Sequence, residues 1–358
     1  MQPVKTKPGP DIYVSGTTIE TSPTADAANN VATYWKNGVE IHLAPSEDST
    51  KATGIVISGK DIYVSGSKMI NGILNAVYWK NGNLVVLGKG AATSIVVVGN
   101  DVYVGGYTNV WARSANMYQE LATYWKNGSA VLLPTIKSVY SYEIYHSMIN
   151  AIAVSGGDVY TVGESTDIGG DFVVASFWKN SSGIPLVAVN PAGGTDRTLA
   201  TGIVVQDNDI YISGYDESSS LDNPINYTRG AIYWKNGSVF SIATAAGNQS
   251  YALALSDKGI CVAIRTDPAG TAGAYWMNNI FVSLSVNINP LPNRGIITQP
   301  TGMVAVGDDI YVSGYIFEQG PLQFGPEFPT YWKNGKAVTL PTAIDGEASG
   351  IAVVAAGE

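Results

Sequence analysis

Tyr233-Trp234-Lys235-Asn236-Gly237 is one copy of a five-residue signature that returns along the chain, with its tryptophan at Trp35, Trp79, Trp125, Trp178, Trp234, Trp276 and Trp332. Asn-Gly between two apolar runs is the strongest short hairpin signal, because both central positions of a type I′ turn take positive φ. Asn37-Gly38, Asn81-Gly82, Asn127-Gly128, Asn236-Gly237 and Asn334-Gly335 obey it. The fourth copy inserts serine (Asn180-Ser181-Ser182-Gly183) and the sixth carries Asn278-Asn279, which still tolerates the left-handed region. Adjacent Tyr and Trp point to opposite faces of a strand. Each sheet therefore offers an aromatic to both of its neighbours.

Three further signatures travel with this one. A run resembling Asp-Ile-Tyr-Val-Ser-Gly starts at Asp11, Asp61, Asp101, Asp158, Asp209, Gly259 and Asp309. A short apolar segment follows each tryptophan, and then comes a Gly/Ala-rich one such as 53–58 or 349–354. The segments are rich in Val, Ile and Tyr and bounded by Gly, Asn or Asp, which is how strands read. The tryptophans lie 44, 46, 53, 56, 42 and 56 residues apart, and four strands recurring about every fifty residues mark a β-propeller blade. The expectation is an all-β, seven-bladed β-propeller of four-stranded antiparallel blades, forming a single domain over 11–358 behind a Pro-rich linker at 1–10. With the small-residue strand innermost, the chain starts on a second strand and ends on an inner one. The last strand then completes the first blade, leaving no unpaired inner edge.

Composition narrows the function. The 358 residues are 45% hydrophobic and 14% charged with a net charge of −9, which argues against nucleic acid and anionic membrane surfaces as partners. No apolar run is long enough for a membrane helix. Cys261 is the single cysteine, so no internal disulfide forms, and two histidines, His42 and His146, are too few for a histidine-rich metal site. No metal or other cofactor is indicated.

The succession Ala-Thr-Tyr-Trp-Lys-Asn-Gly, a segment ending in Leu, Thr-Gly-Ile-Val and Asp-Ile-Tyr-Val-Ser-Gly resembles the repeats of uncharacterised bacterial secreted or lipoprotein-type propellers. It is also similar to HAF-type extracellular repeats, without the His-Ala-Phe triplet of that family. The resemblance spans about 11–358 and implies a monomeric protein located extracellularly, at the cell surface or in the periplasm. It implies membrane attachment only through a lipid anchor on a removed leader. It transfers no functional residues.

The turns after inner strands and after the tryptophans are short and uniform, whereas the other two classes of connection read as long and dissimilar. Variable loops on a rigid scaffold usually carry function. All five arginines fall there or at strand ends, along with aromatics outside the repeat. Candidate ligand-binding residues are Trp111, Arg113, Tyr142, Tyr145, Arg197, Tyr227, Arg229, Arg265 and Phe317. The arginines either recognise a ligand or pair with neighbouring carboxylates, and the aromatics either stack on one or bury themselves beneath the loops. A second candidate is the ring Thr53, Thr93, Asn150, Thr201, Tyr251, Thr301 and Ser349, at equivalent places near the start of each inner strand. Its polar groups either face a channel mouth or hydrogen-bond backbone and trapped water.

Signatures of hydrolases, phosphate binders and calcium loops are missing, so no catalytic residue is assigned. The reading is a binding or scaffolding propeller taking carbohydrate or a protein partner on the long-connection face. The alternatives are a polysaccharide hydrolase or lyase using carboxylates such as Glu143, Glu164, Asp167, Asp171, Asp196, Asp216 and Glu318, or a purely structural surface module. His146 is a possible acid or base, and Cys261 reads as a buried, inert thiol.

Overall fold

The computed structural model describes residues 9–21, 28–112, 117–137, 144–167, 172–186, 197–220, 223–243, 248–266, 271–288, 294–320 and 324–355. Most of the expected linker lies outside them. Every regular element among the described residues is a strand, and none is a helix that could cross a membrane. In chain order the strands are β1 (Asp11–Thr21), β2 (Ala28–Lys36), β3 (Val39–His42), β4 (Thr50–Ser58), β5 (Asp61–Ile70), β6 (Ile73–Lys80), β7 (Asn83–Val98), β8 (Asp101–Ala112), β9 (Met117–Lys126) and β10 (Ser129–Leu132). They continue with β11 (Ile144–Ser155), β12 (Asp158–Asp167), β13 (Val173–Lys179), β14 (Ser182–Pro185), β15 (Arg197–Gln206), β16 (Asp209–Ser220), β17 (Asn223–Lys235) and β18 (Ser238–Ala243). The remainder are β19 (Gln249–Ser256), β20 (Gly259–Thr266), β21 (Ala272–Met277), β22 (Ile280–Ser283), β23 (Gly295–Val306), β24 (Asp309–Gln319), β25 (Phe324–Lys333), β26 (Lys336–Thr339) and β27 (Asp345–Val354).

They pair as a propeller-type succession of antiparallel meanders. Three are separate four-stranded sheets, ordered β27-β1-β2-β3, β19-β20-β21-β22 and β23-β24-β25-β26. The other strands form a longer path in which similar meanders are joined by β7 and by single parallel bridges, His146 with Glu120 and Val173 with Arg197. The C-terminal strand β27 pairs with β1. The first strand of each meander also packs on that of the next, from β4 through β7, β11, β15, β19 and β23 to β27 and back to β4.

Two expectations about connections need correction. In the second meander β5 and β6 meet through a two-residue turn with Asn71 and Gly72 at positive φ, not a long loop. No loop separates that meander from the next, because β7 runs straight across, turning at Gly88 and Gly90 with φ near 135° and 132°. Elsewhere, as in β16–β17, the hairpin extends as ladder where the sequence reads as loop.

The core lies between sheets. Buried apolar residues fall into clusters drawn from consecutive meanders, including one that joins Tyr311 and Leu340 near the end of the chain to Val14 and Trp35 near its start. Six of the motif tryptophans are at most 1% exposed. Burying one such side chain contributes on the order of 3 kcal/mol. Trp178 Nε1 donates to Pro134 O and Trp332 Nε1 to Ser285 O, each just past the outer strand of the preceding sheet, at 2.8 Å. Trp35 Nε1 makes the same 2.8 Å bond to Pro341 O, 306 residues away.

At the short-turn face the Asn of six motif copies closes a clip. Asn37 Oδ1 accepts from Ile12 N and its Nδ2 donates to Asp11 Oδ1, both at 2.8 Å, while Lys36 pairs with the other oxygen of Asp11 at 3.4 Å. The ammonium also lies 5.1 Å from the Tyr13 ring centroid. The clip recurs at Asp61, Asp101, Asp158, Asp209 and Asp309. These aspartates therefore do more than form turns. The hydrogen bond from Asn37, joined by Lys36 and Tyr13, lowers the Asp11 pKa. The sixth meander has Gly259, Cys261 and Met277 in place of Asp, Tyr and Lys, and Asn278 donates instead to Lys258 O at 2.9 Å. Beside this gap a cavity of about 210 Å³ opens between Asp207, Asp209, Ser256 and Asp257.

Close backbone approach explains the small residues of the inner strands. A Cβ on Gly350 would lie 3.2 Å from Gly54 Cα, and one on Gly302 would lie 3.3 Å from Gly350 Cα. Gly350→Val is therefore expected to destabilise by about 1–3 kcal/mol through overpacking, whereas Lys235→Ala, which removes one exposed ion pair, leaves the urea midpoint nearly unchanged. Equal midpoints for Gly350→Val and wild type would contradict this close approach.

Candidate functional site

The seven ring residues are bulges. In each inner strand the pairing register slips at the ring position, as between Ala52 and Gly54 or between Ile149 and Ala151. A bulged residue leaves the ladder and turns its side chain elsewhere. The ring therefore lies inside the strands and not at their starts, and with the residues that directly follow each member it lines a central cavity of about 210 Å³.

Most of the ring is engaged with the neighbouring inner strand. Thr53 donates to Ala92 O at 3.1 Å, Thr93 to Ile149 O at 2.6 Å and Asn150 to Ala200 O at 2.9 Å. Thr301 donates to Ala348 O at 2.7 Å and Ser349 to Ala52 O at 2.9 Å, while Thr201 lies 3.5 Å from Ser250 Oγ. These groups act as staples between strands. Tyr251 is different, since its hydroxyl donates to Gln249 Oε1 at 2.6 Å.

The repeat breaks one step nearer the long-connection end. Two residues before each bulge stand Lys51, Ala91, Met148, Leu199, Gln249, Gln299 and Glu347. Their partners on the second strands are Ser67, Tyr107, Glu164, Tyr215, Arg265, Tyr315 and Thr17. One arc is mostly apolar and aromatic. The other, from β19 through β23 and β27 to β4, carries amides and charges.

Within the polar arc Arg265 Nη1 donates to Gln299 Oε1 at 2.9 Å, and Gln299 Nε2 donates to Pro300 O at 2.9 Å. Glu327, on β25, has its backbone N–H fixed by Asp345 Oδ1 at 2.6 Å, and the same oxygen accepts from Gly346 N at 2.8 Å. Burial, followed by the charges of Glu347 and Asp345, pushes the Glu327 carboxyl up to about 7 against the opposing pull of Lys51. Burial and the charges of Glu327 and Glu347 also raise Tyr315 well above the usual phenol range. Glu327, Glu347, Lys51, Asn30, Thr17 and Ile19 share a cavity of about 100 Å³.

A second titratable cluster stands on the opposite arc. His146 Nδ1 is 2.5 Å from Glu120 Oε2 and its Nε2 is 3.5 Å from Glu164 Oε1. Tyr107 and Tyr145 lie at tilted angles to its ring, 6.5 and 6.3 Å away between centroids. Burial alone would lower its pKa, but the hydrogen bond the ring donates to Glu164 and the charges of Glu120 and Glu164 outweigh that and raise it. Glu20, Glu40 and His42, at the edge of the first sheet, bring ligand atoms within 4.8 Å of one another. This geometry could hold a metal ion, although the sequence reading found none.

Those of the candidate ligand-binding residues that are described are spread over several strands. Trp111 and Tyr118 form an edge-to-face pair at 4.9 Å on the exposed β8–β9 hairpin. Phe317 packs on Tyr315 at 5.7 Å. Arg197 lies 3.8 Å from Glu217 and Arg294 lies 3.3 Å from Glu318, so both pair with carboxylates. Arg265 alone of this set is placed at the polar arc. Arg113 and Tyr142 lie outside the described residues, as do Glu143, Asp171 and Asp196. Tyr227 and Arg229 lie on β17 with side chains outside the description. The buried Cys261 has its thiol pKa raised by burial. Sequence reading missed Glu327, Glu347 and Lys51. Comparing the position two residues before each bulge across the repeats would have found the last two.

No family model matches the chain, and no curated protein does. The structure resembles an acylaminoacyl peptidase complexed with Z-Gly-Gly-Phe-chloromethyl ketone, with a TM-score of 0.50 and 11% identity over 92% of this chain and 50% of that one. A thermostable family-43 glycoside hydrolase aligns with a TM-score of 0.37 and 10% identity, over 68% of this chain and 96% of that one. A Trypanosoma rangeli sialidase in complex with the inhibitor DANA gives 0.42 and 8%, over 76% of this chain and 53% of that one.

The raised pKa of His146 carries a pH signature. It contributes stability that is complete below the unfolded value near 6.5 and is lost as pH rises through the higher folded value. In Glu164→Gln the imidazole titration, followed by NMR, is expected to move to lower pH. The urea-stability gap between wild type and variant should be constant below about pH 6.5 and shrink as pH rises from there through the folded value. A gap independent of pH would contradict this assignment.

Proposed function

We propose that the chain is a closed seven-bladed β-propeller, exported to the bacterial cell surface or periplasm, that binds carbohydrate at the long-connection end of its channel. Support for closure comes from the pairing of β27 with β1, the bond from Ser349 to Ala52 O and the Trp35 bond to Pro341, each of which repeats between the two ends of the chain an arrangement found within it. The bacterial location rests on the resemblance of the repeats.

The observation that carries the binding reading is the two-sided mouth. A sugar presents hydroxyls that both donate and accept, and C–H faces that pack on aromatic and aliphatic groups. Gln249, Gln299, Arg265, Tyr251 and Glu347 supply donors and acceptors on one arc, while Tyr107, Met148, Leu199 and Tyr215 supply apolar surface on the other. A purely structural ring gives no reason for consecutive repeats to differ in this way. The exposed Trp111–Tyr118 hairpin is a separate surface and takes no part.

Binding is measured on a glycan array and quantified by calorimetry. Wild type is expected to retain at least one glycan, Gln249→Ala/Gln299→Ala to lose tenfold or more in affinity, equivalent to about 1.4 kcal/mol, and Trp111→Ala to bind as wild type. No retained glycan, or undiminished affinity in a folded double variant, would refute this reading.

A further inference from the structure

We propose that Glu327 and Glu347 form an acid–base pair that hydrolyses a glycosidic bond in the cavity between the last and first sheets. This rests on carbohydrate being the ligand of the adjoining mouth and extends that reading from retention to chemistry.

The cavity has the features of a built site. Its space of about 100 Å³ compares with about 30 Å³ as one water's share of liquid volume, so it has room for on the order of three waters, enough to admit the reacting edge of a sugar. Thr17 lines it, is 3% exposed, and its hydroxyl has no hydrogen-bond partner among the described residues. A buried hydroxyl left unpaired costs about 1–3 kcal/mol, and a ligand hydroxyl in this cavity would relieve that cost. Lys51 and Asn30 add donors, and Ile19 adds an apolar contact.

The two carboxyl groups differ in environment, as an acid and a base must. Glu327 is half-buried on β25 and faces Glu347 and Asp345 of β27, Tyr315 of β24 and Lys51 of β4. It keeps a proton near neutrality, its value standing at about 7. Asp345 holds two backbone N–H groups on its Oδ1 and is not among the residues lining the cavity, so Glu347 is the carboxylate placed to serve as base.

In the reaction Glu327 gives its proton to the glycosidic oxygen as the bond from that oxygen to the anomeric carbon breaks, with the bonding pair staying on oxygen. A water adds to the anomeric carbon and loses a proton to Glu347. The products are an alcohol and a hemiacetal, and solvent returns the proton from Glu347 to Glu327. Water is the only co-reactant.

The probes are a panel of 4-nitrophenyl glycosides with soluble glucans, xylan and pectin, assayed for released phenol or reducing ends, alongside array binding by the same proteins. Wild type should turn over at least one of them, with a rate that falls as pH rises through about 7 because the acid form of Glu327 is required. Glu327→Gln and Glu347→Gln should each lose on the order of 10²-fold or more in turnover while keeping the wild-type melting temperature. Glycan binding should persist in Glu327→Gln. Binding by wild type without turnover of any probe overturns hydrolysis and leaves the binding reading intact; absence of both overturns both. Turnover unchanged in both folded variants, or a rate that does not decline with Glu327 deprotonation, also overturns the assignment.

Discussion

The inner strands must approach one another closely enough for backbone to meet backbone, and the rest of the molecule follows from that constraint. A Cβ on Gly302 or on Gly350 would meet the backbone of the next inner strand at 3.3 and 3.2 Å. Strands held this close are not joined by a continuous ladder, so their carbonyl groups need other donors. At five of the seven strands the bulge provides one by freeing a polar side chain to reach a carbonyl of the next strand. Chemistry is thereby displaced outward, because a hydroxyl engaged between strands is poorly placed to serve a ligand. The positions nearer the long connections differ from repeat to repeat, and among them Gln299 is itself bonded by Arg265 of the preceding meander.

Tryptophan and the clip divide the remaining work. Each indole is buried between neighbouring sheets, and at Trp35, Trp178 and Trp332 the N–H reaches past the neighbour's outer strand, so that packing and hydrogen bonding fix the same spacing there. The clip is exposed and salt-screened, which makes it a weak source of stability. Its more specific effect is on register, since an asparagine at positive φ caps the start of the second strand while closing the next hairpin. The sixth meander shows that a sheet forms without the charged part of it.

Much of this architecture was legible because it rests on local chemistry repeated in the chain. Asn-Gly demands a hairpin, alternation places Trp and Tyr on opposite faces, and Cys261 occupies a core position already defined by six tyrosines. The long connections were harder. Gly88 and Gly90 read as loop, yet their positive φ lets β7 bend without leaving the ladder. The polar ends of β16 and β17 lack the alternation that announces a strand, although they pair. Glu327 was illegible for a different reason. Its character comes from Glu347, Asp345 and burial, and these meet it only after distant segments pack. Conversely, the arginines drew notice by their placement, but Arg197 and Arg294 lie against carboxylates whose positions no local pattern gives.

The pairing of β27 with β1 also bears on how the protein is made. Ser15 and Ser349, joined side by side in the finished sheet, are 334 residues apart. At about 5–20 residues per second of synthesis, β1 emerges on the order of twenty seconds to a minute before its partner exists. Throughout that interval the first sheet has an open edge, able to pair with a strand of another chain. That edge is covered only when the ten-residue strand β27 docks on β1.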